Sequence, residues 1–373
     1  MSVIPAAAGG RAPASGFHTL RVSAVRPETD HAVCVSFDLP EGLKDEFRFE
    51  PGQYLTLEAE IDGGLVRRSY SICSGLDEAE LRVGIKKIDG GLFSTWANER
   101  LKTGDTIAVM PPRGYFHTPL DADHRKHYLC IAAGSGITPV LSIVKSVLAR
   151  EPQSQVTLLY GNQRVSTIMF REELEALKNR YLARLQWLNI LSRERQDVEI
   201  LNGRINNRKG AELCKHLLNL KAIDEFFLCG PEAMISEVSR GLRAEGIAES
   251  RIHYELFAAS ADDAAAVVEK HHRRAVEMGG KTSKVTIIRD GRQHSFDLSR
   301  DGENILDGGL DAGVELPFAC KGGVCATCRA KLIEGEVDMD LNHALVAEEV
   351  EAGYVLTCQS HPVTNTVVVD YDQ

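Results

Sequence analysis

The sequence predicts a multidomain protein of mixed α+β and α/β class. A small antiparallel β-barrel comes first, then a parallel α/β domain, then a β-grasp-like sheet carrying a helix. Three observations predict it. Short strand-like runs broken by Gly, Pro and Asp turns fill residues 17–120, and strands alternate with helical patterns over residues 121–258. Residues 282–373 hold four cysteines whose spacing demands a tight loop around something small. A chain of 373 residues can give each unit its own core.

Residues 1–16 (MSVIPAAAGGRAPASG) are small and Pro/Gly-rich, without an apolar run long enough for a signal segment. They read as a disordered lead-in. The longest uncharged run, Tyr128–Val144, carries Gly134, Ser135, Gly136, Thr138 and Pro139 in its middle, so it reads as strand–turn–helix and not as a membrane span. A cytoplasmic location is expected. Of the net charge of −10, residues 281–373 supply −8, from 8 basic and 16 acidic side chains. Such a balance disfavours nucleic acid and suits steering toward a basic partner surface; it serves simple solubility equally well.

The barrel strands are expected at Phe17–Val25, Ala32–Asp38, Tyr54–Ile61, Leu65–Ile72, Leu81–Ile88 and Thr106–Met110. Arg68-Ser69-Tyr70-Ser71 follows Pro51-Gly52-Gln53-Tyr54. Gly90-Gly91-Leu92-Phe93-Ser94-Thr95-Trp96 opens a short helix. Glycines before a helix leave free N–H groups for a phosphate, and a neighbouring arginine adds a fork of donors. Tyr70 offers a ring for a flat heteroaromatic. Taken singly, each stretch is equally an amphipathic strand or an ordinary helix start.

In the second unit, strand His127–Ala132 leads through Gly134-Ser135-Gly136-Ile137-Thr138-Pro139 into helix Val140–Arg150. Strand, Gly-rich turn and helix start is the arrangement that cradles a dinucleotide pyrophosphate, although the motif is G-x-G-x-x-P. Strands Val156–Tyr160, Leu185–Leu191 and Phe226–Cys229 alternate with helices Phe170–Arg180, Gly210–Leu218 and one running to about Glu245. Cys229 falls at a carboxyl end, where such sheets bind ligands; its simpler reading is a small buried hydrophobe. Residues 259–281 have few large apolar groups and read as a partly helical linker, with a reach of roughly 25 Å if flexible. His271 and His272 read as solvated.

The third unit opens with a hairpin, Lys284–Arg289 and Arg292–Leu298, around Asp290-Gly291, which suits a type I′ turn. A helix near Glu303–Ala312 and strands Tyr354–Thr357 and Thr366–Val369 complete it. Between them lies Cys320-x4-Cys325-x2-Cys328, answered by Cys358 after 29 residues. This is the plant-type spacing for a [2Fe–2S] cluster, in which each iron takes two thiolates. Gly322 and Gly323 are expected to take positive φ and turn N–H groups toward the sulfurs. Zinc usually takes paired C-x2-C knuckles, and a disulfide framework suits small secreted chains.

These motifs form an ordered set. R-S-Y-S-I-C, G-L-F-S-T-W, G-S-G-I-T-P-V-L-S-I, C-K-G-G-V-C-A-T-C-R-A and G-Y-V-L-T-C-Q resemble the ferredoxin–NADP reductase family with a plant-type ferredoxin fused at the C-terminus, over residues 17–373. The resemblance implies an FAD-binding barrel (17–120), an NAD(P)-binding domain (121–258), a linker (259–281) and a [2Fe–2S] ferredoxin domain (282–373). By resemblance Arg68 meets the FAD pyrophosphate, with Ser69 beside it; Tyr70 lies against the isoalloxazine and Ser71 near flavin N5. Gly91, Ser94 and Thr95 form the second phosphate turn. Gly134, Gly136 and Thr138 belong to the nicotinamide dinucleotide loop, and Cys229 lies beside the nicotinamide. Glu255 and Phe257 close the other face of the flavin; the family usually has Tyr where this chain has Phe257.

Ser192-Arg193 and Gly203-Arg204 match places where the family's NADP-using members hold the 2′-phosphate, whereas NAD sites set an acid against the ribose. NADPH is therefore expected as donor over NADH, though Asn206 replaces a family Tyr and both arginines also suit a plain surface. The implied chemistry takes a hydride from NADPH onto FAD and passes electrons singly to the cluster. No carboxylate–histidine set for di-iron binding is visible, so oxygen activation is expected from a partner. The resemblance further implies separate di-iron oxygenase subunits of a multicomponent complex, acting on the aromatic ring of a CoA thioester. The same parts could serve a Rieske-type dioxygenase or another monooxygenase, a stand-alone quinone or hybrid-cluster reductase, or a redox sensor.

Overall fold

A computed structural model of the chain describes residues 16–216, 218–257 and 261–373. Of the expected lead-in only Gly16 is among them. The first sheet has six antiparallel strands in the order Gly64–Ser71, Tyr54–Ile61, Thr106–Val109, His18–Thr29, Ala32–Asp38, Leu81–Lys86. A bridge between Ile72 and Val83 joins its two edges and closes the barrel. Alternation along the strands turns Leu20, Val22, Leu55, Leu57, Val83 and Ile85 inward, where all are buried.

The second sheet is parallel, in the order Ile252–Glu255, Glu225–Cys229, His127–Ala133, Gln155–Asn162, Leu185–Leu191. Helix Ile137–Arg150 is buried along nearly its whole length, because the sheet covers one side and the barrel the other. Barrel residues Cys34, Cys73 and Phe116 accordingly share one core with Val140, Val144 and Leu148. Polar contacts lock the same seam: Ser142 donates to the Ser74 carbonyl (2.6 Å), and Lys145 pairs with Glu78 at 3.0 Å and also with Glu173. The edge strand Ile252–Glu255 was not expected. It pairs with Glu225–Cys229 so that Glu255 lies opposite Cys229.

The third sheet runs Arg292–Ser299, Thr282–Arg289, Thr366–Asp370, Arg329–Glu334, Tyr354–Leu356, with helix Ile305–Asp311 packed on it. Asp290 and Gly291 take φ of 50° and 68°, the positive pair that a type I′ turn requires. A small ladder, Val337–Met339 with Ser360–Pro362, lies beside the cysteine loop.

The connecting segment forms a helix, Ala261–Met278. It docks through charge instead of an apolar stripe. Arg274 reaches Asp340 (2.6 Å) and Asp338 (2.8 Å), and Lys270 donates to the Met339 and Asp340 carbonyls. His271 is exposed, as expected, but it has a partner: its Nε2 lies 2.7 Å from Asp340, which His361 also approaches at 3.1 Å. His272 is exposed. Among the described residues, no helix is long and apolar enough to cross a membrane.

Candidate functional site

The three units meet at one cavity of about 390 Å³. The barrel strand Gly64–Ser71 contributes its last four residues, Arg68, Ser69, Tyr70 and Ser71. The turn after Leu81–Lys86 contributes Gly91 and Ser94, and the Gly-rich loop contributes Ser135 and Thr138. The C-terminal end of the edge strand brings Glu255 and Phe257. The remaining wall is the cysteine loop: Cys320, Gly322, Val324 and Cys325.

Local geometry suits flat and phosphorylated ligands. Arg68 donates to the Arg67 carbonyl at 2.7 Å, and no carboxylate pairs with it among the described residues. Helix Leu92–Glu99 has no side-chain cap, so its first N–H groups stay open. Ser94 shapes the turn, accepting from the Ile88 N–H at 3.1 Å. A Cβ on Gly91 would come within 2.5 Å of Ser94 Oγ. Thr95 does not line the cavity. Tyr70 rests at 5.5 Å, ring to ring, on Phe93, which fixes its plane.

Ser71 Oγ and Glu255 Oε2 lie 3.4 Å apart. Loss of water around the carboxyl pushes Glu255 up to about 8, so it stays protonated at neutral pH. The part of Glu255 that remains accessible faces the cavity. Next to it Cys229 is wholly buried, and burial pushes its thiol well above the ordinary range. Gly136 packs against Cys229 so closely that a Cβ would fall 2.1 Å from the Cys229 carbonyl oxygen. Gly134 takes φ +55°, and its carbonyl accepts from the Tyr160 hydroxyl at 3.0 Å. Thr138 donates to the Ser135 carbonyl, also at 3.0 Å.

Two neighbours carry no signal in the sequence. Lys86 lines the cavity without a hydrogen-bond or ion-pair partner among the described residues, 3.4 Å from where a Gly134 Cβ would be; burial pushes its pKa down. A single lysine at a strand end gives no motif to find. Gln359 closes the G-Y-V-L-T-C-Q stretch, where nothing in the spacing assigns it a role. Its amide donates to the Lys321 carbonyl at 3.0 Å and approaches Cys358 Sγ at 3.6 Å.

The four cysteines converge as two thiol pairs, Cys320 with Cys325 and Cys328 with Cys358. The Cys325 thiol, together with N–H groups of Gly322, Val324 and Cys325, pulls Cys320 down to about 6. Cys358 is lowered by the Cys328 thiol and then by Gln359 and the Gly323 N–H. Cys325 and Cys328 are pushed up as the partners that keep the proton. Positive φ falls on Lys321 (51°), Gly323 (74°) and Ala326 (49°), and not on Gly322 as expected. The Gly322 N–H still meets Cys320 Sγ at 3.3 Å. Two thiol pairs inside a ring of inward N–H groups fit a dinuclear iron–sulfur centre.

Ser192, Arg193 and Arg204 lie apart from the cavity, at the carboxyl edge of the parallel sheet. A bridge from Leu191 to Asn202, with Gly203 donating to the Leu191 carbonyl at 2.8 Å, brings the two segments together. Arg204 faces a groove of about 550 Å³ that Arg208 and Lys209 also line. Arg193 and Arg204 are exposed and have no acidic partner among the described residues.

Known families match in the same order. An oxidoreductase FAD-binding domain matches residues 21–118, an oxidoreductase NAD-binding domain residues 130–240, and a 2Fe-2S iron-sulfur cluster binding domain residues 287–363. They define an oxidoreductase that uses FAD, a nicotinamide dinucleotide and a [2Fe–2S] cluster. One component of the 1,2-phenylacetyl-CoA epoxidase of Escherichia coli (strain K12) is 44% identical over 356 residues, covering 95% of this chain and 98% of its own length. The ferredoxin reductase component of 3-ketosteroid-9-alpha-monooxygenase from Rhodococcus rhodochrous is 34% identical, covering 94% and 96%. Phthalate dioxygenase reductase shares the fold at a TM-score of 0.58 and 23% identity, over 95% of this chain and 98% of that one. The chain belongs to the ferredoxin–NADP reductase family, in the branch that carries a C-terminal plant-type [2Fe–2S] ferredoxin domain. It is an electron-transfer reductase that passes electrons from NAD(P)H through FAD to the cluster.

Proposed function

We propose that this reductase feeds a multicomponent oxygenase of the phenylacetyl-CoA epoxidase type, whose di-iron components epoxidise the ring of an aromatic CoA thioester. The observation that carries the electron route is the single cavity walled by Arg68–Ser71, the Gly-rich loop and the cysteine loop. Likeness to the epoxidase component over nearly the whole chain supports the choice of partner.

Bound in this cavity, FAD would supply the step from paired to single electrons, which the cluster would accept one at a time. The chain's own residues hold and orient. Arg68 and the open start of helix Leu92–Glu99 suit a pyrophosphate, and Tyr70, backed by Phe93, suits the flat face of a ring. Ser71 and the protonated Glu255 present hydrogen-bonding groups at the reacting edge. Gly136, pressed on Cys229, lets a nicotinamide approach. Cys320, Cys325, Cys328 and Cys358 would ligate iron. Lys86 suits a phosphate. NADPH is the donor in this reading, the 2′-phosphate lying between Ser192-Arg193 and Arg204.

A reducing, cytoplasmic setting is part of the reading. The test is reconstitution with candidate oxygenases. NADPH-driven epoxidation is expected with the oxygenase components of phenylacetyl-CoA epoxidase, and turnover only with a Rieske-type oxygenase would overturn the assignment. Cys320→Ser is expected to abolish cytochrome c reduction while sparing flavin reduction; equal loss of both would break the division of roles.

A further inference from the structure

One barrel residue touches both the flavin cavity and the cysteine loop. Tyr54 lines the cavity, and its hydroxyl donates to the Cys325 carbonyl, with Thr327 Oγ1 at 3.4 Å. The residue is only 6% exposed, and its partner lies in another domain, 271 positions along the chain. A buried hydroxyl needs an acceptor; here the acceptor is the backbone of a cysteine expected to hold iron.

The side chain is also stiffly mounted. Tyr54 exchanges two backbone hydrogen bonds with Arg113, at 2.9 and 3.0 Å. Its ring packs on Gly114, where a Cβ would fall 3.1 Å from the ring carbons. Among the described residues, the other polar contacts across this seam are Arg67 to the Leu316 carbonyl (3.1 Å) and over the Phe318 ring, and Arg329 to the Tyr115 hydroxyl (2.8 Å); these reach neither the cavity nor a cysteine.

We infer that Tyr54 is a positioning residue for electron passage, holding the Cys325 segment of the cluster loop against the flavin cavity. With both groups bound, one electron would pass from the flavin to the cluster, the flavin losing it and the cluster gaining it. Tyr54 keeps its proton and exchanges no electron. The inference rests on the four cysteines holding the cluster.

Holoprotein carrying Tyr54→Phe tests it, because this change removes one oxygen and leaves the packing ring. Hydrogen exchange over residues 320–328 should quicken. In stopped-flow, flavin reduction by NADPH should be unchanged while the following cluster reduction slows about tenfold, the equivalent of one hydrogen bond. The electron paramagnetic resonance spectrum of the reduced cluster should not change. Unchanged exchange or an unchanged cluster-reduction rate overturns the inference, and so does an altered spectrum, which would put the effect in the cluster itself. Wild-type protein lacking iron at these cysteines would overturn the cluster assignment together with the inference; a full cluster with an indifferent Tyr54→Phe overturns the inference alone.

Discussion

Ser71 and Glu255, the last residues of a barrel strand and of the edge strand of the parallel sheet, meet across 3.4 Å and bind the two domains at the cavity floor. The pair has a pH signature. Folded Glu255 keeps its proton to about pH 8, whereas in the unfolded chain it leaves near 4.5. The folded state binds the extra proton, so stability falls as pH rises through that window, by up to about 1.4 kcal/mol per pH unit. Urea midpoints taken from pH 5 to 9 should show this slope. Glu255→Gln should flatten it and be the more stable protein above pH 8.

In the proposed reading, donor choice turns on Arg193 and Arg204 at the sheet edge. Removing a charged hydrogen bond to phosphate costs about 1.5–3 kcal/mol, roughly 10- to 100-fold in affinity. Arg193→Glu and Arg204→Glu should each raise the KM for NADPH by about that factor. Steady-state kinetics should show the KM for NADH moving far less; equal changes for the two donors would remove both residues from the 2′-phosphate site.

Gly136 has no room for a side chain beside Cys229, and the opposing atoms are backbone. Gly136→Ala should push the Gly-rich loop away from the carboxyl end of Glu225–Cys229. Nucleotide binding measured by calorimetry should weaken at least about tenfold, since a misplacement near 1 Å is felt strongly in such sites. FAD and iron content should stay at wild-type levels.

Asp340 is the hub on which the connecting helix sits. His361, Arg274 and His271 hold its carboxyl well below the ordinary range, against the opposing effect of burial. Its contribution is therefore present above about pH 3.8 and lost as pH falls below. Asp340→Ala leaves Arg274, itself 6% exposed, without its closest partner. Asp338 still holds Arg274 at 2.8 Å, so the expected cost is about 1.5–3 kcal/mol, felt as faster hydrogen exchange along residues 266–278.

Much of this fold is legible in the sequence because period-2 and period-3.6 patterns are strong where an element buries one face. Ala32–Asp38, Tyr54–Ile61 and Leu185–Leu191 are observed at the residues expected. The connecting helix shows no apolar stripe because it docks through Lys270, His271 and Arg274, so composition alone makes it look like a tether. The ladder Val337–Met339 with Ser360–Pro362 is too short to show a period. Motif spacing places the cysteines, but it carries no sign of Tyr54 reaching across to Cys325. Nor does it reveal that Lys321 and Ala326 take the left-handed backbone beside Gly323. Such contacts arise only when distant segments close on each other.

The strand Thr366–Asp370 lies in the middle of its sheet, between Thr282–Arg289 and Arg329–Glu334. During synthesis this sheet therefore cannot zip shut until Thr366–Asp370 has left the ribosome. The sheet beside the four thiols waits on that strand, long after the first barrel has emerged. A nonsense change between the connecting helix and Thr366 would leave a flavin-binding protein with nowhere to send its electrons.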